Sequence, residues 1–211
     1  MLKFYYSTVT GSTATHIALV ESGLAFTPVE VSWSRNVNVD ELLKVNPLNA
    51  VPAITIDGKP ITQTIAIMEY IADNSPQAKL LASPGSVERA ETMSWLSFCS
   101  SDFQKSFAPL FRIRGKWMVA DDAKAEIKAK TLTDIHAYLE HIEKNLAGKD
   151  FITGKNFTIA DCLLFINLGF TKFVEIDTKQ YKNVQAFMKR VLARPAVQKV
   201  LKEEQMLEIF A

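Results

Sequence analysis

The segment of residues 46–72, NPLNAVPAITIDGKPITQTIAIMEYIA, carries three local signals in a fixed order and constrains the fold more than any other part of the chain. Its first signal is Val51-Pro52 after a turn-rich stretch, because proline fixes φ, removes a backbone donor and makes a cis peptide accessible. Two short β-branched runs, at residues 53–56 and 60–62, then flank Asp57-Gly58-Lys59. That arrangement predicts a β-hairpin.

The third signal is a helical stripe that follows the hairpin. Thr64, Ile67, Met68 and Ile71 fall at i, i+3, i+4 and i+7, which predicts an amphipathic helix beginning near Gln63-Thr64. A strand that leads into a helix through a hydroxyl residue brings free N–H groups and the positive end of the helix dipole together. The segment therefore predicts a carboxylate or phosphate site.

The flanking sequence predicts two domains. Residues 2–6 are typical of a buried strand, residues 7–13 of a hydroxyl-rich loop, residues 14–21 of a helix that ends at Gly23, and residues 27–32 of a second strand. Strand, helix and strand followed by hairpin and helix predict an α/β thioredoxin-like domain over residues 1–76, with a right-handed crossover. Residues 77–86 are the predicted linker. Strand signals stop there, and helices predicted at 87–107, 122–146, 159–173, 183–193 and 196–209 make residues 87–211 an all-α domain.

Composition excludes several classes of function. With 24 basic and 23 acidic residues the net charge is +1, so no basic field recruits nucleic acid. Apolar runs fall well short of the ~18 residues of a membrane span, and the first residues lack the pattern of a signal peptide. The two cysteines, Cys99 and Cys162, both lie in helical patterns and indicate no disulfide framework. A cytoplasmic protein without a metal site is the simplest interpretation, since the three histidines show no metal-ligand spacing.

The central segment resembles the glutathione-binding half of the glutathione S-transferase family in N-P-x-x-x-V-P-A-I, in D-G and in Q-T-x-A-I-x-x-Y-I. The resemblance implies that the backbone of Val51 pairs with the cysteinyl unit of glutathione, with Pro52 in cis. It also implies that Gln63 and Thr64 hold the γ-glutamyl carboxylate. Thr64 stands where the family more often has serine, and it keeps the hydroxyl.

Across nearly the whole chain the sequence is most similar to the bacterial beta class, through F-Y-Y, T-H-I-A-L-x-E-S-G, W-L-S-F, F-A-P-L-F and F-T-I-A-D. It departs from that class where the class does its chemistry. With Ser12 and His16 kept in register, the cysteine of the class falls on Gly11 and its histidine on Gln104. A mixed disulfide with glutathione cannot form at that place, whereas conjugation through a serine hydroxyl and loss of catalysis both stay open.

A glutathione transferase must favour the thiolate of its bound co-substrate, and one hydrogen bond to sulfur together with a positive potential does so. The loop between the first strand and the first helix is the expected place for that donor. Its candidates are Ser12, which stands beside Gly11, with Thr10, Thr13 and Tyr6 as alternatives; Ser7 and Thr8 lie in the same loop. A helix cap is the competing interpretation for Ser12 and Thr13, and a core position is the competing one for Tyr6.

Two further groups of residues are interpreted from their spacing. Phe103, Phe107 and Phe111, with Trp117, make an aromatic region that suits an apolar electrophile, although aromatic residues at helical spacing also form plain core. Thr158 and Asp161 in F-T-I-A-D predict a capping box, a structural rather than a catalytic feature.

The resemblance therefore implies a homodimeric enzyme that adds glutathione thiolate to an electrophilic, apolar or aromatic small molecule, with glutathione as co-substrate. Two other functions fit the same fold. One is a non-catalytic glutathione-binding or regulatory protein, which the missing cysteine and histidine favour. The other is a glutathione-dependent isomerase or peroxidase.

Overall fold

Four strands form one mixed sheet at the start of the chain. The structure, a computed structural model, describes residues 1–114 and 120–210, so Trp117 lies outside the described residues. The strands are β1 (Leu2–Tyr6), β2 (Thr27–Glu30), β3 (Ala53–Ile56) and β4 (Lys59–Thr62), in the spatial order β2-β1-β3-β4. β1 is parallel to β2 and antiparallel to β3, and β4 returns antiparallel to β3. The predicted strand at 27–32 is thus real but ends two residues early, at Glu30.

Helices cover both faces of the sheet. α1 (Ser12–Ser22) and α3 (Thr64–Asp73) pack on the face that carries Phe4 and Ile54, and this side joins the main core. On the other face α2 (Val39–Val45) covers a second, small core of Tyr5, Val31, Leu42 and Ala53. The sequence did not predict α2, because a helix of 7 residues with one buried side chain shows too little periodicity. The thioredoxin-like arrangement is otherwise confirmed.

The rest of the described chain is helical, as predicted. After a 3₁₀ turn (Pro76–Ala78), it contains α4 (Val87–Phe98), a π-helical turn (Cys99–Phe103), α5 (Gln104–Ser106), α6 (Ala108–Arg114), α7 (Asp121–Leu146), α8 (Ile159–Phe173), α9 (Lys182–Leu192), α10 (Pro195–Glu203) and α11 (Leu207–Phe210). The predicted helix 87–107 is therefore interrupted, and the predicted helix 196–209 is two helices. The limits 1–76, 77–86 and 87–211 stay predictions. Among the described helices, none is both long and apolar enough to cross a membrane.

Helix α1 is buried over its first two turns, and a carboxylate from the helical domain accepts from or contacts two of its polar residues. All side chains from Ser12 to Leu19 are buried between the sheet, α8 and α10. Glu204, just after α10 and 2 % exposed, accepts a hydrogen bond from Thr13 Oγ1 (2.7 Å) and lies 2.8 Å from His16 Nδ1. Glu204 is the C-cap residue of α10, so this buried cluster lies where that helix ends. It also fastens the end of the chain to the first helix.

The start of α8 contains the predicted capping arrangement. Thr158 is the N-cap, and Asp161 Oδ2 accepts hydrogen bonds from its N–H and its hydroxyl, both at 2.8 Å. Asp161 Oδ1 also accepts the N–H of Ile152 at 2.8 Å, a contact that the sequence did not predict. Because Asp161 is fully buried, its carboxylate is what satisfies both the helix end and the turn before it.

We expect Asp161→Ala to lower the free energy of unfolding by about 3 kcal/mol or more, because it leaves several buried donors without an acceptor. Denaturant unfolding measures this loss. Glu88→Ala is the matched control, since Glu88 is an exposed acid in the first turn of α4, and it should cost less than about 1 kcal/mol. Equal losses in the two variants would contradict the structural role of Asp161.

Candidate functional site

The strand register brings three parts of the chain to one edge of the sheet. Tyr5 pairs with Ala53, and Ala53 pairs with Thr62. β1 and β4 end at this edge and β3 begins there. The loop of residues 7–11, the turn before β3 and the first residue of α3 therefore meet at this edge.

The backbone of Val51 is held open at this edge. The Val51-Pro52 peptide is cis, as the resemblance implies. Asn46, which is 4 % exposed, shapes the preceding turn: its Oδ1 accepts the N–H of Leu48 (3.2 Å) and its Nδ2 donates to the carbonyl of Ala50 (2.7 Å). Neither the N–H nor the C=O of Val51 has a hydrogen-bond partner among residues 1–114 and 120–210. An extended ligand backbone can pair with such free groups as an added strand does.

Gln63 and Thr64 lie at the start of α3. Gln63 is exposed and has a φ of 73°, a strained value for a residue with a side chain. Thr64 is half-buried, and its hydroxyl makes no hydrogen bond within the described chain. The first turn of α3 contains no acidic residue, so its N-terminal N–H groups and dipole are not neutralised. The position suits a carboxylate.

The predicted thiol donor, Ser12, has a different set of partners in the structure. It is fully buried, and its Oγ accepts the N–H of Ser7 (3.1 Å), lies 3.1 Å from the Ser7 carbonyl and lies 2.7 Å from Thr10 Oγ1. Thr10 is half-exposed, and its Oγ1 accepts the N–H of Ser12 (3.2 Å) and reaches the Ser7 carbonyl (2.8 Å). Ser12 thus ties the loop together from inside, while Thr10 is the member of the pair that solvent reaches.

The other two named hydroxyls point away from this loop. Thr13 donates to Glu204, as described above. Tyr6 stacks on Phe4 (5.5 Å between centroids) and lies against His16 (5.2 Å). Burial, followed by the nearby carboxylate of Glu204, raises the pKa of Tyr6, so its phenol stays protonated. Tyr6 is therefore part of an aromatic cluster beneath α1.

The three predicted electrophile-site phenylalanines differ in exposure. Phe103 and Phe107 are fully buried and in edge-to-face contact (5.2 Å between centroids). Phe111 is 40 % exposed and packs edge-on against Phe170 at 5.7 Å. Phe103 and Phe107 therefore belong to the core, in line with the competing interpretation, and Phe111 alone of the three offers a large surface.

Two residues at this edge were not assigned a binding role from the sequence. Gln104 was noted only for its place in the resemblance, yet its carboxamide lies beside Gly11. Trp33 is 42 % exposed and donates from Nε1 to Asn49 Oδ1 at 2.9 Å, next to the turn that leads to Val51. For Trp33, the signal that could have indicated such a role was an exposed tryptophan in a loop. No group of three or more potential metal ligands occurs in the part of the chain that the structure describes.

Comparison with known proteins agrees with this geometry. The family model "Glutathione S-transferase, N-terminal domain" matches residues 3–73, and "Glutathione S-transferase, C-terminal domain" matches residues 94–195. Glutathione S-transferase GstA of Escherichia coli O157:H7 is 35% identical over 206 residues, which cover 96% of this chain and 98% of that protein. The chain belongs to the glutathione S-transferase family.

Solved structures of family members share the whole fold. A sphingomonad glutathione S-transferase complexed with glutathione superposes with a TM-score of 0.87 at 37% identity, over 97% of this chain and 99% of that one. A bacterial beta class enzyme of Sphingomonas chungbukensis gives 0.86 at 39% identity, over 97% and 99%. The resemblance to the beta class is therefore confirmed, and glutathione is the ligand bound in the first of these relatives.

We expect Gln63→Gly to be more stable than Gln63→Ala by about 1 kcal/mol, because glycine tolerates a positive φ and alanine does not. The pair differs by one methyl group, so the comparison isolates backbone strain from loss of the amide. Ala66→Gly is the control: Ala66 is exposed in the interior of α3, and there glycine should cost about 1 kcal/mol. Thermal or denaturant unfolding of the three variants measures the change in stability at each position. If glycine is less stable than alanine at both positions, strain at Gln63 is contradicted.

Proposed function

We propose that this member of the family binds glutathione at the edge formed by Val51, Gln63 and Thr64 and transfers its thiolate to an electrophilic carbon. The observation that carries the proposal is the free backbone of Val51 beside the unneutralised start of α3. One part suits the extended backbone of a peptide and the other suits its carboxylate.

Each contact in this proposal has a physical role. Val51 pairs its N–H and C=O with the cysteinyl unit, which fixes the direction of the peptide. The Thr64 hydroxyl and the N–H groups of α3 receive the γ-glutamyl carboxylate, and the exposed side chain of Gln63 closes over it. Hydrogen bonds to a charged group stabilise more than neutral ones, so most of the affinity comes from this carboxylate.

The thiol of a peptide bound in this way faces the loop of residues 7–11. In our proposal the hydroxyl of Thr10 donates to the sulfur, while Ser12 donates to Thr10 Oγ1 and holds Thr10 in position. The 2.7 Å contact between the two hydroxyls takes one of their two protons, so the other is available to a ligand. The start of α1, which has no acidic residue in its first turn, adds positive potential to the thiolate.

The chemistry needs no group from the protein to bond covalently. The thiol proton leaves to solvent, and the sulfur lone pair forms a bond to the electrophilic carbon. A leaving group departs with its bonding electrons, or, in addition to a double bond, the resulting carbanion takes a proton from water. Orientation of thiolate and carbon, together with thiolate stabilisation, supplies the acceleration.

The electrophile is proposed to contact the exposed ring of Phe111. The side of Phe111 that does not face Phe107 and Phe170 is available for an apolar or aromatic molecule. A homodimer stays a prediction of the resemblance, and a cytoplasmic location stays a prediction from the composition.

We expect Thr64→Val to weaken glutathione binding about tenfold or more, because a charge-assisted hydrogen bond is lost without a change in volume. Thr64→Ser keeps the hydroxyl and should bind within about threefold of wild type. Isothermal titration calorimetry measures both. Equal affinities for the two variants would contradict the assigned carboxylate site, and no binding by wild type would overturn the proposed function.

A second pair of variants separates the two hydroxyls of the loop. We expect Thr10→Val to raise the thiol pKa of bound glutathione by about one unit, whereas Ser12→Ala mainly lowers stability by about 1–2 kcal/mol, since it leaves the buried Ser7 N–H unpaired. Thiolate absorbance as a function of pH gives the first value and denaturant unfolding the second. A raised thiol pKa at unchanged stability in Ser12→Ala would identify Ser12 as the donor. Glutathione bound with an unshifted thiol in wild type would favour the non-catalytic function.

A further inference from the structure

A cavity of about 610 Å³ lies at the junction of the two domains, at the far end of α3 from Thr64. Its walls are the last turn of α3, the connecting segment of residues 76–84, the first turns of α4 and the turn of residues 153–158 before α8. α3 has 10 residues, so its last residue lies about 14 Å from its first. Ligand pockets are common at domain junctions and have volumes of this order. The cavity is therefore a candidate for a second binding site, separate from the one described above.

Hydrogen bonds between the wall segments hold the cavity in shape. Arg89, whose side chain is 11 % exposed, donates to both carboxylate oxygens of Asp73 (2.8 and 2.9 Å) and to the carbonyl of Ala82 (3.2 Å). The N–H of Ile159 donates to the carbonyl of Leu80 at 3.0 Å, which joins the connecting segment to the start of α8. The cavity is thus formed before a ligand enters, and a preformed pocket loses less free energy to ordering when it is occupied.

Charged side chains of both signs line the cavity, and four of them are unpaired within the described chain. Lys79 lies on the connecting segment, Lys155 on the turn before α8, and Glu88 and Glu91 on α4, all with exposed side chains. Across residues 1–114 and 120–210 none of the four forms an ion pair. Asp73, which also lines the cavity, is paired with Arg89 as described above. The cavity therefore offers two ammonium and two carboxylate groups from three segments of the chain.

A ligand that complements this lining carries charges of both signs. A simple anion would face the carboxylates of Glu88 and Glu91, and a simple cation would face the ammonium groups of Lys79 and Lys155, so like charges would oppose either one. A zwitterion can place each of its charged ends against the opposite charge, where charge-assisted hydrogen bonds form. Leu81 adds apolar surface for the chain that links the two ends.

We propose that this cavity binds a zwitterionic amino acid or short peptide, with Lys79 and Lys155 facing its carboxylate and Glu88 and Glu91 facing its ammonium group. The inference goes beyond the proposed function, because no residue of the cavity belongs to the glutathione site. Since both domains contribute walls, the bound ligand stabilises their junction, and stability rises with ligand concentration. No covalent bond forms or breaks in this binding.

The first test is a titration of the wild-type protein with triglycine, followed by the backbone amide resonances of Ala82, Thr92 and Lys155 in heteronuclear NMR. We expect these resonances to shift. Triglycine amide lacks the carboxylate and N-acetyltriglycine lacks the ammonium group, so each should bind about fivefold or more weakly than triglycine. Equal binding of the blocked peptides, or no shift with triglycine or glycine up to about 10 mM, would overturn the inference.

Glycine, titrated in the same way, distinguishes the two sources of this chemistry. An affinity equal to that of triglycine assigns the site to the ammonium and carboxylate of a single amino acid. Tighter binding of triglycine assigns it to a peptide whose ends reach opposite walls. Both results support a zwitterion site.

Variants that remove one charge test the assigned groups. Lys155→Met and Glu91→Gln each remove a charge at similar side-chain length, and we expect each to weaken triglycine binding about fivefold or more. The matched controls are Lys182→Met on α9 and Glu140→Gln on α7, exposed positions outside the cavity that should leave the affinity unchanged. Unchanged affinity in both cavity variants would contradict the assignment.

One more variant separates this cavity from the glutathione site, since triglycine is itself a peptide with a carboxylate. Triglycine should shift the cavity resonances in Thr64→Val as strongly as in wild type. If Thr64→Val abolishes these shifts, triglycine binds at the glutathione edge and the inference is overturned. If wild type does not bind glutathione and triglycine still shifts the cavity resonances, the proposed function fails and the inference stands.

Discussion

The burial of α1 between the sheet and the helical domain is the constraint on which the site depends. A helix with no solvent-facing side over its first two turns must find partners for its polar side chains there, and Thr13 and His16 find them in Glu204. Removal of one member of such a buried set leaves the others without compensation, which costs far more than an exposed ion pair would. The end of the chain is therefore bound to the first helix. Both domains then hold the start of α1 in place, and this is where Gly11 meets Gln104.

The parts of the fold that the sequence predicted are those with strong local causes. The Asp57-Gly58 turn has positive φ at both residues, and the strands on either side follow from it. The cis bond at Pro52 and the helix that begins at Thr64 likewise follow from neighbouring residues. By contrast, α2 is stabilised by Tyr5 and Val31, which lie outside the helix, so its own 7 residues contain little sign of it.

The site residues divide in the same way, into those whose role depends on neighbouring residues and those whose role depends on contacts with the rest of the fold. The roles expected for Val51 and Thr64 depend on their own backbone and on the helix that starts beside them, and those groups have no hydrogen-bond partner within residues 1–114 and 120–210. The role of Ser12 depends on what its hydroxyl reaches, and that is the backbone of Ser7, which the conformation of the intervening loop decides. The exposure of each phenylalanine depends on how α8 packs against α6, and residue spacing in the sequence does not determine that packing. Sequence spacing therefore identified the aromatic region but not which ring a ligand can touch.

At this edge the residues with a strained backbone are not glycines, whereas the glycine has an unstrained backbone. Val9, in the loop after β1, has φ 60° and Gln63 has φ 73°, yet neither is a glycine, and such conformations cost about 1–3 kcal/mol each. Gly11, in the same loop as Val9, has an ordinary helical backbone. Backbone conformation alone would favour glycine at Val9 and Gln63 and would accept a larger residue at Gly11. Side chains are thus present at Val9 and Gln63, where the backbone conformation is strained, and absent at Gly11, where it is not. This distribution indicates that the volume and donors presented at this edge, rather than stability, determine its residues.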